Sequence, residues 1–575
     1  MAAYLALMWT REAPPPVASA VLEGLPAGGP WSASDIGPGH LIFTRGPVRP
    51  RIWRLSGDRG CVIGEVFHRS FQRPPGAEPD SLTMNRRARA LTIAQDLSDN
   101  HWGRYVALIG GAPEGACGVF RDPSGAVDAM VWEQGGVCFV ATHLPDWLPR
   151  SAWPDTSIDW TQVAVCLAST AAMAGACALK GLTAITPGAL YTFGAGEQQL
   201  WRPADVARRA PPKDAARVVV ATLDACVAAL VGEGRVSVEI SGGLDSAIVA
   251  GSVATTAPDR VAEWINYHAA DRVGDERDYA RDVAARWKVP LTEAFKPDFA
   301  ITAQALASVS DGLRPGLTGK DIERDRHAAT RIRETGVERV MTGQGGDMVF
   351  FQTPTPLVAV DQLRRVGWRA LFDPEVAAVA RWTRTSLWRI AGLALRRSSR
   401  WHGLRSVAGH PWLLGTDDLP PAKQAQIATL AQALFVNIEG LRGRAGEIVH
   451  PLLAQPVVEL CLSIPVPDLA LGGRDRGLAR LAFAERLPPS IRTRRSKGEL
   501  GAYYGRVVGA SLEVLRPLLL DGRLAAEGLL DRGRLEVMLT REHLVWRGDY
   551  SGLMTAAVLE SWVRHWEAWG RGART

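Results

Sequence analysis

Short apolar runs separated by turn residues mark the first part of the chain, and their length and spacing are typical of β-strands. Predicted strands lie at residues 105–109, 118–120, 137–141 and 189–193. Asp122-Pro123-Ser124-Gly125 favours a turn, because proline presets φ and glycine closes the turn. The apolar, alanine-rich stretch 163–179 is short for a membrane span and predicts a buried helix. We therefore predict a sheet-rich α+β domain over residues 1–205.

The pattern changes near Pro211-Pro212, where helical periodicity begins to alternate with short apolar strands. The predicted helices cover residues 215–230, 247–254 and 276–287, and the predicted strands cover 236–240, 261–267 and 337–341. Such alternation predicts a parallel sheet with helices on both faces. Beyond residue 360 the pattern is mostly helical. The second predicted domain, residues 206–575, is therefore a doubly wound parallel-sheet domain with a helical C-terminal part.

Composition and charge narrow the class of protein. The chain is 47% hydrophobic and 22% charged, which is typical of a globular protein. A net charge of +6 spread over 575 residues gives little reason to expect a nucleic-acid partner. The seven cysteines are scattered without a CxxC pair, which disfavours zinc ribbons and redox motifs and indicates a reducing compartment. The first ten residues do not resemble a signal peptide, so we expect a cytoplasmic protein without a membrane partner.

A glycine-rich motif, Ser241-Gly242-Gly243-Leu244-Asp245-Ser246, follows the predicted strand 236–240 and precedes a predicted helix. The glycines let backbone N–H groups approach an anion, and the helix N-terminus points its unpaired N–H groups at the same place. Asp245 suits a phosphate site if Mg²⁺ lies between them. A turn that uses glycine only for its geometry is the simpler interpretation, but six residues in this order favour phosphate binding. No Walker motif ending in Gly-Lys-Ser/Thr is present.

A second glycine-rich loop, Thr342-Gly343-Gln344-Gly345-Gly346-Asp347, follows the predicted strand 337–341. In an open α/β sheet, ligands bind beyond the carboxyl ends of neighbouring strands. Mg²⁺ takes one or two carboxylates together with phosphate oxygens. The two loops, each with one aspartate, therefore predict a magnesium site.

In this order the motifs resemble those of the asparagine synthetase superfamily, over roughly residues 214–575 and more loosely in the N-terminal domain. Further matches are Asp275-Glu276, His450-Pro451-Leu452-Leu453 and residues 480–498. Ala454 stands where the family has aspartate. The resemblance implies that the N-terminal domain is an α+β sandwich of the N-terminal-nucleophile glutaminase type.

The resemblance also implies roles for individual residues. The nucleotide-binding residues would be Ser241, Gly242, Gly243, Leu244, Asp245, Ser246, Gly343, Gln344 and Gly345. ATP would bind there with Mg²⁺ held by Asp245 and Asp347. Lys497 would stabilise negative charge on the α-phosphate and on the developing oxyanion, a role that suits a flexible point cation. Without the resemblance, Lys497 in an arginine-rich run is interpreted as a solvated surface lysine.

The family's glutaminase needs a cysteine at position 2, whereas this chain begins Met1-Ala2-Ala3 and its first cysteine is Cys61. Ala2 carries no nucleophile, so we expect glutamine hydrolysis to be absent unless the start codon is wrongly assigned. The amine would then belong to the substrate. This favours the cyclising branches of the superfamily, namely β-lactam synthetases and lasso peptide cyclases.

Residue 344 separates these branches further. The resemblance places tyrosine here in β-lactam synthetase-like enzymes and glutamate in asparagine synthetases, but Gln344 is neutral and cannot accept a proton. A peptide α-amine, with a pKa of about 8, depends less on a base. Residues 102–107 and 121–125 also resemble lasso cyclase N-terminal domains. The resemblance therefore implies an AMP-forming lasso peptide macrolactam synthetase.

That resemblance implies three partners: a precursor peptide as substrate, a leader-peptide recognition protein and a cysteine peptidase. The alternatives are a β-lactam synthetase-like enzyme and an ammonia-dependent asparagine synthetase-like enzyme. A tRNA-modification enzyme can share the ATP loop, but it would be expected to have a basic binding domain and often paired cysteines. A non-catalytic scaffold is disfavoured by the intact loop, both aspartates and Lys497.

Residues 362–412 are rich in tryptophan and arginine, with five tryptophans at 368, 382, 388, 401 and 412. This composition suits a peptide-binding or partner-binding surface. It also suits a nucleic-acid groove. Amphipathic helices with tryptophan inward and arginine outward are the third interpretation.

Overall fold

The computed structural model describes residues 3–10, 13–37, 39–46, 50–55, 59–69, 89–110, 117–169, 173, 175, 177–269, 274–296, 298–316, 321–396, 401, 403, 407, 409–495, 501–547 and 549–572. The strands in these ranges are β1 (Ala3–Met8), β2 (Trp31–Gly37), β3 (His40–Arg45), β4 (Ile52–Arg54), β5 (Gly60–His68), β6 (His101–Ile109), β7 (Gly118–Arg121), β8 (Met130–Gln134), β9 (Val137–Ala141), β10 (Thr183–Ala184), β11 (Ala189–Thr192), β12 (Gly196–Gln199), β13 (Val236–Glu239), β14 (Val261–His268), β15 (Thr292–Phe295), β16 (Arg339–Met341) and β17 (Glu447–Val449).

The α-helices in the same ranges are α1 (Pro16–Glu23), α2 (Ala90–Asn100), α3 (Trp160–Ala168), α4 (Pro203–Ala207), α5 (Ala215–Val231), α6 (Leu244–Thr256), α7 (Arg277–Trp287), α8 (Ala303–Ala307), α9 (Ile322–Thr335), α10 (Gly346–Val349), α11 (Leu357–Val366), α12 (Pro374–Trp382), α13 (Leu387–Leu395), α14 (Pro421–Ala433), α15 (Gln455–Ser463), α16 (Val466–Leu469), α17 (Gly477–Ala482), α18 (Pro489–Thr493), α19 (Gly501–Ala510), α20 (Leu512–Leu520), α21 (Arg523–Ala526), α22 (Arg532–Met538), α23 (Arg541–Arg547) and α24 (Tyr550–Gly572). None of these helices is both long and apolar enough to cross a membrane.

The N-terminal part is a sandwich of two antiparallel sheets, with strand orders β10-β8-β9-β1-β3-β2 and β12-β11-β7-β6-β5-β4. Side chains alternate along each strand, so one face of each sheet can be buried between the two. Tyr4 and Ile42 of the first sheet pack there with Cys61 and Val106 of the second. The N-terminal half is therefore the α+β sandwich that the sequence predicted.

The C-terminal part contains a parallel sheet with the order β15-β14-β13-β16-β17. Val238 of β13 packs into the cluster that contains residues of α5 and α6, whereas Val340 of β16 packs against Ile332 of α9. Helices therefore cover both faces, and the predicted doubly wound α/β fold is confirmed. The strand order reverses beside β13, so the carboxyl ends of β13 and β16 lie next to each other.

The predicted strands are confirmed, with ends shifted by a few residues, but the predicted helix 163–179 is wrong in its second half. Helix α3 ends at Ala168, and Ser169 has an extended backbone. Leu179 instead pairs with Ile158 in an isolated β-bridge. The apolar run gives no signal for this break, because a helix and an extended segment can both bury apolar side chains.

The tryptophan- and arginine-rich segment 362–412 does not pack its tryptophans uniformly inward. Trp412 is buried and Trp382 is half-buried, but Trp388 is 87% exposed and Trp368 is 49% exposed. The interpretation that all these tryptophans face inward is therefore wrong.

Candidate active site

The first glycine-rich loop, residues 241–246, joins the end of β13 to the start of α6. A ring of hydrogen bonds closes it. The Ser241 backbone N–H donates to Ser246 Oγ over 3.1 Å, the two serine hydroxyls lie 2.9 Å apart, and Ser246 Oγ donates to the Gly243 carbonyl over 3.1 Å. The loop is thus held in one shape at the N-terminus of a 13-residue helix, the geometry that binds anions.

Gly242 is the position in this loop that requires glycine, because its φ is +83°. A Cβ atom there would lie 2.7 Å from the Glu276 carbonyl oxygen. Arg494 Nη1 donates to the Gly242 carbonyl over 2.8 Å, and Arg494 Nη2 lies 2.5 Å from Glu276 Oε1. The Asp275-Glu276 segment and the segment before Lys497 therefore both pack on the loop.

The second loop packs directly on the first. A Cβ atom on Gly343 would lie 2.3 Å from the Ser246 backbone nitrogen, and one on Gly346 would lie 2.6 Å from Asp245 Cγ. Only glycine permits this contact, so the two loops come together because both positions have no side chain. Gly345 turns the chain into α10 with a φ of +88°.

Arg476 bonds to the acid of the first loop and lies in the electrostatic field of the acid of the second. Its guanidinium Nη1 donates to Asp245 Oδ2 over 2.6 Å. Burial alone would lower the pKa of Arg476, but the charges of Asp245, Asp475 and Asp347 raise it. Arg476 therefore stays charged and holds Asp245 in place at the site where the loops meet.

A cluster of arginines surrounds this point: Arg474, Arg476, Arg480, Arg494 and Arg495. Burial and the positive charge of Arg480, Arg495 and Arg476 lower the pKa of Arg474, against the opposing charge of Asp475. The Arg494 guanidinium also lies 3.8 Å from the centre of the Tyr279 ring. Arginine clusters bind phosphate oxygens with geometric specificity, so this cluster suits a polyphosphate.

Four of these arginines, at 476, 480, 494 and 495, line one cavity of about 530 Å³. We call it the nucleotide cavity because the loops predicted to bind a nucleotide form part of its wall. Its walls include these residues of the predicted site: Ser241, Gly243, Leu244, Asp245, Ser246, Gly343, Gln344 and Asp347. Gly242 and Gly345 shape the loops without lining it. Lys497, the predicted catalytic residue, and Ala2 lie outside the described residues; Arg495, two positions before Lys497, lines the cavity.

Asp245 and Asp347 face the same cavity beside a cationic cluster, and this donor set suits Mg²⁺ bridging to phosphate oxygens. Both offer carboxylate oxygens, the hard ligands that this ion prefers. The roles of these residues, like that of Lys497, stay predictions.

A second cavity, of about 440 Å³, adjoins the first and lies between the two halves of the chain. We call it the inter-domain chamber. Asp128, Thr142 and His143 come from the N-terminal sandwich, and residues 309–316 and 435–444 contribute from the C-terminal half. Among the described residues, four line both cavities: Asp321, Arg324, Gln344 and Tyr504.

His450, part of the predicted His-Pro-Leu-Leu match, links the second loop to the chamber. Its Nδ1 lies 2.7 Å from Thr342 Oγ1, and Thr342 Oγ1 accepts a hydrogen bond from the Gln344 backbone N–H over 3.3 Å. Burial and the neighbouring Arg442 and Arg104 lower the pKa of His450 to about 3. His450 is therefore a neutral hydrogen-bonding group that supports Gln344.

Sequence reasoning did not identify Lys296, Asp321, Arg324, Arg476 or Tyr504 as site residues. Lys296 directly follows β15. Its place at the carboxyl end of a strand in an α/β sheet is the sequence signal that could have identified it. Asp321 precedes α9, a position where capping explains an aspartate equally well. Arg476 carries no local signal, because only the fold brings it to Asp245.

Residues 219–566 match a protein-family model described as asparagine synthase. No curated protein matches the chain at a significant level. One similar solved structure is a glutamine phosphoribosylpyrophosphate amidotransferase from B. subtilis complexed with ADP and GMP. It is 14% identical, and the alignment covers 59% of this chain and 81% of that chain with a TM-score of 0.18, which is too low to support a conclusion.

Proposed function

This chain belongs to the asparagine synthase family, and from that premise we propose that it is an ATP-dependent lasso peptide macrolactam synthetase. Membership of the family indicates an ATP-dependent amide-forming ligase. In the proposed reaction an Asp or Glu side chain of a leader-cleaved precursor peptide is adenylated. The peptide α-amine then closes an isopeptide bond, and AMP and pyrophosphate are released.

The observation that carries the proposal is the pair of adjoining cavities. A substrate that carries both the carboxylate and the amine could place its carboxylate in the nucleotide cavity and the rest of its length in the chamber. Both reacting groups would then be held in one site. A cavity volume of about 10–15 Å³ holds one water-sized molecule. A chamber of about 440 Å³ is therefore far larger than ammonia needs, which favours an extended substrate.

The chamber walls combine apolar side chains with charged and polar groups of the kind that hydrogen-bond to a peptide backbone. His143 Nε2 lies 3.1 Å from Glu439 Oε2, and Arg314 Nε donates to Asp128 Oδ2 over 2.7 Å. Unpaired amide groups of a bound peptide need donors and acceptors of this kind. Holding both reacting ends in one site removes much of the entropic barrier to ring closure.

The groups around the phosphates have separate tasks in this proposal. The N–H groups at the start of α6 and the hydroxyls of Ser241 and Ser246 bind the pyrophosphate oxygens. Arg476 and Asp245 orient the region where the α-phosphate would lie. Bound ATP with Mg²⁺ supplies the adenylyl group that activates the carboxylate, with Asp245 and Asp347 as the metal ligands.

The cysteines of this sequence support an amine supplied by the substrate rather than by glutamine. Six of the seven are buried and Cys177 is half-buried. Burial raises the pKa of the Cys166 and Cys461 thiols to about 12, so they are protonated and poor nucleophiles. Gln344, at the junction of the cavities, is neutral, which agrees with an amine that needs no strong base.

The test is mass spectrometry of a short precursor peptide encoded beside this gene, co-expressed with the neighbouring peptidase and this protein. A leaderless peptide lighter by one water is expected, and it should be absent with Asp245→Asn. Cleaved but linear peptide in both samples, with soluble protein, would contradict the proposal. The alternatives, a β-lactam synthetase-like or ammonia-dependent enzyme, would then be tested with β-amino acids and with aspartate plus ammonia.

A further inference from the structure

Asp321 lies where the nucleotide cavity meets the inter-domain chamber, and its side chain lines both. It immediately precedes α9 but makes no side-chain capping bond to that helix. The carboxylate is therefore not a hydrogen-bonding cap of α9. Asp321 thus belongs to the wall that the two cavities share.

The two oxygens of Asp321 have different surroundings. Oδ2 accepts a hydrogen bond from Lys296 Nζ over 2.7 Å, with the Tyr504 hydroxyl at 3.5 Å and Arg324 Nη1 at 3.6 Å. Oδ1 is buried and accepts no hydrogen bond from any residue in the described ranges. A buried acceptor without a donor is costly, so the site is suited to a ligand that donates a hydrogen bond.

Lys296 is fixed so that it holds Oδ2 and does not reach around to Oδ1. Its ammonium lies 4.1 Å from the centre of the Tyr503 ring and 5.1 Å from that of Tyr504. Its backbone N–H donates to the His268 carbonyl over 2.7 Å. The lysine is also 5% exposed, so its rotamer is held by packing.

The remaining charges around Asp321 are paired with one another. Arg442 Nη1 donates to Glu239 Oε1 over 2.7 Å and lies near Asp325, and Arg324 Nη2 lies 3.4 Å from the same Glu239 oxygen. The acids and bases of this cluster therefore balance, and a single added ammonium meets no excess of positive charge. The acids are Asp321, Glu239 and Asp325, and the bases are Lys296, Arg324 and Arg442.

We infer that the Asp321 carboxylate binds the ammonium group of the substrate's attacking amine through Oδ1 at the mouth of the nucleotide cavity, and takes up one proton from it, so that the neutral amine attacks the activated carboxyl carbon and AMP leaves. The inference rests on the proposed function, because it takes the peptide α-amine as that group. Lys296 and Tyr504 are positioning residues that fix the carboxylate. Among the described residues that line both cavities, Asp321 is the one acid.

The experiment compares the unmodified protein with Asp321→Asn, which conserves size but removes the charge. Two steps are measured: peptide-dependent exchange of pyrophosphate into ATP, and ring closure by mass spectrometry. At saturating peptide, exchange should stay within about twofold, whereas ring closure should fall about 10- to 100-fold. Hydroxylamine, a small amine that is neutral at pH 7, should intercept the activated carboxylate equally well in both proteins.

A second measurement guards against general damage by the substitution. Acetylation of the peptide α-amine should weaken peptide binding about tenfold in the unmodified protein, measured as KM for exchange. In Asp321→Asn the free and the acetylated peptide should have the same KM. An acetylation penalty that persists in the variant, or equal losses of exchange and ring closure, would overturn the inference. No peptide-dependent exchange in the unmodified protein would instead overturn the proposed function, and the inference with it.

Discussion

Arg476 illustrates how single residues make this site, since it holds Asp245 of the first loop and lies in the field of Asp347 of the second. Its backbone has a left-handed conformation with φ of +52°, and its N–H donates to the Phe351 carbonyl over 3.1 Å. The backbone conformation of Arg476 and its contact with Asp245 therefore both set the direction of the side chain. Such a preorganised cation is most effective where negative charge develops in a water-poor site.

Arg476→Ala should lower peptide-dependent exchange of pyrophosphate into ATP by about 100-fold, because the variant loses a charge-assisted contact and leaves Asp245 without it. Arg476→Lys should recover part of the rate, since the charge returns without the planar fork. Arg217→Ala, on the exposed surface of α5, is the matched control and should leave exchange unchanged. Equal rates for Arg476→Ala and the control would contradict the assigned role.

Gly343→Ala should separate the two loops, because the added Cβ would lie 2.3 Å from the Ser246 backbone nitrogen. We expect a loss of about 1–3 kcal/mol in the free energy of unfolding, together with loss of exchange activity. Gly392→Ala is the control, because a Cβ there meets nothing within 4 Å and its position in helix α13 favours alanine by about 0.5–1 kcal/mol. Urea denaturation of both variants measures the difference.

Among the elements, helix α24 near the C-terminus contacts both the N-terminal sandwich and the wall of the inter-domain chamber. Trp562 and Trp566 of this helix pack with Leu5 and Leu7 of β1 in one core cluster. Trp562 Nε1 also donates to the Gly312 carbonyl over 2.8 Å, beside the inter-domain chamber. A helix distant in sequence thus covers the outer face of the first N-terminal sheet and supports the chamber wall.

Trp562→Ala should lower the free energy of unfolding by about 3–5 kcal/mol, because the side chain is fully buried. Trp388→Ala removes the same side chain from α13, where it is 87% exposed, and should change stability by less than about 0.5 kcal/mol. Thermal or urea denaturation compares them. Similar losses in the two variants would mean that Trp388 is covered in solution.

For the whole molecule, Glu459 joins the two halves of the chain. Its carboxylate accepts hydrogen bonds from Arg69 Nη1 over 2.6 Å, from Arg209 Nη1 over 2.9 Å and from Trp201 Nε1 over 2.7 Å. Burial alone would raise the pKa of Glu459, but the hydrogen bonds from Arg69, Gln455 and Trp201 hold it below its usual value. The division into domains 1–205 and 206–575 stays a prediction, because contacts of this kind cross it.

Glu459→Gln should lower the free energy of unfolding by about 2 kcal/mol at pH 7. A carboxyl whose pKa is lowered by folding stabilises the protein above its unfolded pKa, about 4.3 for glutamate, and loses this effect as the pH falls through the folded value. The difference between variant and unmodified protein should therefore shrink below about pH 4. Glu513→Gln, at an exposed position of α20, is the control in urea denaturation at both pH values. A difference that is constant with pH would contradict the linkage.

The sequence alone determined the features that depend on local order. The 241–246 and 342–347 loops, the strands that precede them and the α/β class follow from periodicity, glycine and turn residues, which act within a few positions of the chain. The family resemblance followed from the same ordered motifs. These features are local, and so they can be recognised without coordinates.

Only the tertiary structure decided which distant residues meet at the site. Arg476 reaches Asp245 across 231 positions, and Asp321 faces both cavities only because β15, α9 and α19 converge there. Such contacts arise from packing of whole elements, which no short-range pattern encodes. The end of α3 at Ala168 and the exposure of Trp388 have the same cause, because burial depends on what the fold places opposite each side chain.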